Sequence, residues 1–179
     1  IRDSFPPSLE NPDWLMALGT LVALSIISTF MALQVSDYGT TSSMVFIPQL
    51  AGVMLIGPVG AAGVALLSDV VTGIGIDRRP AYKKIFNGSQ KMLAVTSAGL
   101  AYATFGGAVG LESFDITRIF APFLLAVLVY FAVNTGLVSY VVAATQGGDP
   151  IDIWRKIAGG LIAFDIAMSF IALVVAVLY

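Results

Sequence analysis

Residues 44–76, MVFIPQLAGVMLIGPVGAAGVALLSDVVTGIGI, hold a single charged side chain, Asp69, and a single Gly-Pro step, Gly57-Pro58. A continuous helix of that length would rise about 50 Å, against about 30 Å of bilayer hydrocarbon. Pro58 has no amide N–H to continue a helix and disfavours helical geometry in the residue before it. The stretch therefore reads as two short helices, 44–57 and 59–75, folded into a tight hairpin. Gly52, Gly57, Gly60, Ala61, Ala62 and Gly63 let the two backbones approach closely, which is how helices associate when lipid supplies no hydrophobic drive.

The flanking sequence belongs to the same solvent. Of 179 residues, 58% are hydrophobic and 11% charged, and the mean hydropathy is +0.91. These values lie outside the range of soluble domains and specify an integral membrane protein. Further apolar segments occur at 14–35, 87–107, 117–145 and 150–179. The expected fold is all-α, a polytopic bundle of about six transmembrane helices forming a single domain over 1–179, with no internal repeat. Asp13 is placed to cap the first helix, with Trp14 at headgroup level. SDYGTTSS (36–43) is a polar turn. The polar, Pro-rich start and the apolar finish FIALVVAVLY read as the cut ends of a longer chain.

The composition also removes whole classes of chemistry. There is no cysteine and no histidine, so disulfides, thiolate catalysis, Ser-His-Asp arrangements and the usual zinc and haem ligands are absent. No metal site and no cofactor is specified by the residues present. The Gly-rich stretches GIGID (73–77) and GGAVG (106–110) do not sit between a strand and a helix, as phosphate binding requires. With a net charge of −2 and no basic face, nucleic acid is not an expected partner. The expectation is a protein without enzymatic activity.

Five of the nine basic residues fall in RRPAYKKIFNGSQK (78–91), and two more, Arg155 and Lys156, follow GGDP (147–150). Basic residues accumulate in short cytoplasmic connections. Six crossings place both turns inside, leaving Arg2 and Arg118 outside together with both chain ends. Asn87 and Gln90 match a capping pattern for the fourth helix, and Asp149-Pro150 an N-cap followed by Pro at the first helical position. Lys91, one turn into that fourth helix, is expected to snorkel to the interface.

The pieces FIPQLAGVMLIGPVGAAGVALLSDVV, RRPAYKKIFNGSQKMLAVTSAGLAYATFGG and LVYFAVNTGLVSYVVAATQGGDPIDIWRK carry a family resemblance over about 44–156. Its most specific parts are Phe86-Asn87 followed by Gln90, and the run from Tyr130-Phe131 to Asn134-Thr135. They resemble the membrane input modules that precede HD-GYP phosphodiesterase or GGDEF cyclase domains in bacterial cyclic di-GMP signalling. The Gly57-Pro58 hairpin followed by Asp69 is also similar to the S subunits of energy-coupling-factor vitamin transporters. The first resemblance implies a sensory or regulatory module coupling a ligand or membrane state to a cytoplasmic output. The second implies a substrate-binding subunit, with a cavity closed by the loop at 35–43 or 109–117. An accessory structural subunit of a membrane complex is a third reading.

Any binding chemistry must come from polar groups inside the membrane, where an ionisable side chain costs at least a few kcal/mol. Asp69, Asn134 and Asp165 are the candidates, with Tyr130 beside them and Ser68, Tyr140 and Ser169 as further hydroxyls. They are expected to converge on one polar pocket for a small ligand still to be identified. The small-residue stripes Gly99, Ala103, Gly107 and Gly159, Ala163, Ala167 suit either internal packing or a homodimer. The basic asymmetry yields a direct topological prediction in this cysteine-free background. Single cysteines at 79 and 155 should label from the cytoplasmic side and one at 112 from the outside; labelling of all three from one side would overturn the arrangement.

Overall fold

The computed structural model describes residues 12–30, 33–34, 41–42, 44–75, 80–110 and 116–179. Five helices follow in order: α1 (Pro12–Thr29), α2 (Phe46–Gly75), α3 (Ala81–Thr104), α4 (Ile116–Gln146) and α5 (Pro150–Leu178). Between α1 and α2 a two-residue antiparallel ladder pairs β1 (Leu33–Gln34) with β2 (Thr41–Ser42). The break in α2 divides it into two arms, so the expected six helical segments are present. Arg78, Arg79 and Glu112 and most of the loops 35–43 and 109–117 lie outside the described residues.

The break falls at Gly57, whose φ of 77° and ψ of 176° belong to a region that only glycine occupies at low cost. The chain reverses there. A Cβ placed on Gly52 would lie 3.5 Å from the Ala61 Cα, whereas nine residues of straight helix would separate the two by about 13 Å. In a continuous helix the Met54 carbonyl would accept from residue 58, but Pro58 has no N–H. The Gly110 amide, from the loop after α3, donates to that carbonyl instead at 3.1 Å. Irregular backbone at membrane depth requires this kind of protein-supplied partner.

The first arm is the core of the molecule. Every residue from Phe46 to Pro58 is buried, on all faces of the helix. It rises only about 16 Å from Phe46 to Ile56, too little to cross the bilayer. Helix α2 packs against α1, α3 and α5, and α4 closes the bundle against α3 and α5. By length and composition α1, α4 and α2 taken as a whole are each long and apolar enough to cross a membrane, with α5 a fourth if its two bent halves form one span, but the reversal at Gly57 divides α2 into two arms. Helix α5 bends by 59° between Pro150–Gly159 and Ile162–Leu178.

Several local expectations are corrected. Helix α1 stops at Thr29, not 35, because β1 and β2 take up the chain beyond it. Trp14 is buried at 7% exposure and packed into the core. Helix α3 starts at Ala81 with Pro80 at its N-cap and no side-chain cap, so Asn87 and Gln90 lie inside the helix and form no capping box. Proline's fixed φ starts the helix here about two turns earlier than the capping pattern suggested. The Asp149 cap is present, its carboxylate accepting from the Ile151 amide at 2.7 Å with Pro150 following.

The stripe on α3 packs internally at Gly99. A Cβ there would fall 2.8 Å from the Pro58 Cβ and 2.9 Å from its Cα, so the Gly-Pro corner seats directly on α3. Gly107 lies past the helix end, and a side chain there would strike the Tyr102 ring, whose hydroxyl donates to the Ala108 carbonyl at 2.8 Å. Gly57→Ala and Gly99→Ala should each destabilise the protein by about 1–3 kcal/mol in detergent unfolding, from backbone strain and overpacking respectively. Gly136→Ala, where a Cβ meets nothing within 4 Å, should leave stability unchanged or slightly raised. Equal losses in all three would show that the corner has no special role.

Candidate functional site

Adjacent residues on a helix point about 100° apart, and α3 uses two of them to reach both neighbours. Lys91 donates to the Asp69 carboxylate of α2 at 2.6 Å. Gln90 donates to Asn134 of α4, at 2.5 Å to its side-chain oxygen and 3.2 Å to its backbone carbonyl. The ion pair is largely enclosed, with side-chain exposures of 25% for Lys91 and 18% for Asp69. Lys91 therefore reaches into the bundle instead of snorkelling out, because a carboxylate inside is a better partner than distant solvent. The second oxygen of Asp69 is buried without a partner and lies against Gly88, where a Cβ would be 3.3 Å away.

Deeper in the bundle Tyr130 donates to the Gln49 side-chain oxygen at 3.0 Å. Gln49 is fully buried in the first turns of the inner arm, and its amide nitrogen has no partner. Phe46, Tyr130 and Phe131 stack around this contact, with ring centroids 5.2 to 6.3 Å apart.

Asp165 itself belongs to a separate space. A cleft of about 260 Å³ separates α4 from α5. Helix α4 contributes Leu128, Phe131, Ala132 and Thr135, which share one face at helical spacing. Helix α5 contributes Trp154 and Ala158 from before its bend, and Ile162, Asp165 and Ile166 from after it. Asp165 is buried at 5% exposure. The Trp154 indole donates to the Thr135 hydroxyl at 2.9 Å, and that hydroxyl donates to the Phe131 carbonyl at 2.6 Å. Ser169 donates to the Asp165 backbone carbonyl at 2.7 Å.

The four expected residues thus do not line one cavity. Asp69, Asn134 and Tyr130 join α2, α3 and α4 through Lys91, Gln90 and Gln49, whereas Asp165 alone of the four lines the α4/α5 cleft. Tyr130 and Asn134, four residues apart, occupy a different face of α4 from Phe131 and Thr135. Of the further hydroxyls, Ser68 donates to the Ala65 carbonyl at 3.1 Å, within its own helix, and Tyr140 is 65% exposed and faces away from the network. Sequence reasoning missed Gln49, although an amide inside the apolar run 44–67 was a visible signal. It also missed Trp154 and Thr135, whose pairing depends on how α5 bends. Among the described residues no group of three or more His, Cys, Asp or Glu is arranged to hold a metal.

Comparison with known families gives one match. The model of MASE9, a family of membrane-associated sensor domains, matches residues 10–179. That match takes in nearly the whole chain, and the chain belongs to this family. No curated protein matches it. The match fits a multi-pass membrane protein of the sensory class, as the apolar helices do.

The Asp69 pair carries its own prediction. Lys91→Met leaves an uncompensated carboxylate in a poorly solvated site and should destabilise the protein by roughly 3 kcal/mol. Adding Asp69→Asn to it should recover at least about half of that loss, read by thermal unfolding in detergent. A double variant as unstable as Lys91→Met alone would show that the pair contributes through packing and not through charge.

Proposed function

We propose that this MASE9 domain is the sensory input module of a bacterial signalling protein, and that it converts occupancy of the α4/α5 cleft into a change in the bend of α5. The observation that carries this reading is a buried carboxyl, Asp165, lining a cleft beside the bend in α5. An ionisable group inside the membrane is costly, and it marks a functional site more often than a packing contact. Residues before the bend, Ile153 and Ile157, pack on Ala143 of α4, while Arg155 and Lys156 stay exposed beside the 147–149 turn. A ligand wedged between Ala158 and Ile162 would alter the angle between the halves and displace that turn. Such an element biases two states, which is the physical requirement for a switch.

Asp69, Asn134 and Tyr130 serve this reading as the fixed frame, tying α2, α3 and α4 together so that α5 moves against them. Tyr130 packs against Phe131, which lines the cleft, and so joins that frame to it. The output is a cytoplasmic domain of the cyclic di-GMP type, and the working unit is a homodimer in the inner membrane. Support for a second copy comes from Gly159, Ala163 and Ala167, which are all exposed and therefore not used in packing within the chain. Ala163→Leu should change oligomer size in detergent with the fold retained; an unchanged size removes the dimer from the reading.

Straightening α5 tests the switch itself. Gly159→Ala with Gly160→Ala favours a continuous helix by about 2 kcal/mol in sum. In the chain joined to its cytoplasmic output, the double variant should fix activity at one level that no longer responds to stimulus. Output that responds as in the native protein would overturn the proposed mechanism.

A further inference from the structure

We infer that the α4/α5 cleft binds a primary amine carried on a short apolar chain, an inference that rests on the sensory reading and names its ligand class. The lining apart from Asp165, Thr135 and Trp154 is wholly apolar, so most of the ligand is hydrocarbon. Its volume of about 260 Å³ equals roughly nine water volumes at about 30 Å³ each, and falls just under the range of drug-sized pockets. That space suits an unbranched chain of about eight atoms. Leu128, Ile162 and Trp154 at its edge are 53%, 40% and 38% exposed, so the mouth opens on the lipid-facing side of the bundle. A ligand arrives from the bilayer.

The head group follows from which hydrogen-bonding capacity is already committed. The Trp154 N–H is given to Thr135 and the Thr135 O–H to the Phe131 carbonyl. The donors on the cleft wall are thereby engaged, which leaves nothing to receive an anionic head. Asp165 is the acceptor, and a carboxylate has about four lone-pair sites, so a contact within the protein leaves room for a ligand's N–H groups. The positive charge of an ammonium is complementary to an ionised carboxylate at this depth. Because desolvation offsets much of the gain from a buried ion pair, the site's signature is discrimination between head groups and not high affinity.

Trp154 reports on the site directly. The chain has two tryptophans, so Trp14→Phe leaves Trp154 as the sole indole. In phosphatidylcholine nanodiscs this variant is titrated with n-octylamine, n-octanol and octanoate while Trp154 emission is followed. The amine should give a saturable change at a concentration at least about tenfold below that for the alcohol, and octanoate none. Asp165→Asn should abolish the preference for amine over alcohol with helicity unchanged. Ala158→Leu, which fills the cleft without touching the carboxyl, should abolish saturation for both. Equal, non-saturating changes with all three amphiphiles, or an amine preference that survives Asp165→Asn or Ala158→Leu, would overturn the inference. Repeating the titration in phosphatidylethanolamine separates sources: suppression of the octylamine response identifies the amine as a lipid head group, and an unchanged response identifies it as a free amine. None of these measurements reads signalling output. Binding without any effect on output defeats the sensory reading alone, whereas failed binding with an output still governed by the α5 bend defeats this inference alone.

Discussion

A proline inside a membrane protein leaves a carbonyl without its donor, and hydrocarbon offers no water to replace it. Here that carbonyl belongs to Met54, and the Gly110 amide supplies the missing bond. The rest of the bundle follows from keeping this corner dry and paired. Helix α3 comes close enough to seat Pro58 only because Gly99 has no side chain. The loop after α3 then lies beside the corner, and its amide finds Met54. Three segments distant in sequence are thereby held at one point.

The same constraint explains why the centre of the protein is a short helix. An arm of about 16 Å leaves its first turn at the depth of the middle of α4, where Phe46 meets Phe131 and Gln49 meets Tyr130. Polar side chains at that depth need partners from the protein, and neighbouring helices provide them pairwise. Gln90 and Lys91 let α3 hold α4 on one side and α2 on the other. Each interaction is modest by itself. Together they make α2, α3 and α4 a tied unit, and a bond from Trp154 to Thr135 joins α5 to α4.

Helix α5 packs against both α2 and α4. Its two halves diverge by 59°, and the cleft lies between it and α4. On α4, Tyr130 and Asn134 bond into the frame and Thr135 lines the cleft, while Phe131 serves both, packing on Phe46 and lining the cleft. A sensor needs a rigid part and a part that moves against it, and one helix here serves as the boundary between them.

Membrane class, helical segments and the Gly57-Pro58 reversal were legible in the residues themselves, because bilayer thickness and a missing N–H act locally and leave a direct trace in composition. The Asp149 cap was legible for the same reason, as a cap is satisfied within a few residues. Asp69, Asn134, Tyr130 and Asp165 were recognisable as costly groups needing partners, but not which partners. Gln90 satisfied a local capping pattern in sequence and instead crosses to Asn134; Lys91 had the reach to snorkel and instead turns inward to Asp69. Which alternative prevails depends on the distance and angle between helices, and no short stretch encodes these. The division of the four polar residues between a tied frame and an open cleft has the same origin. Helical spacing assigns each residue to a face of its own helix, but only the packing of five helices around the inner arm decides what each face meets.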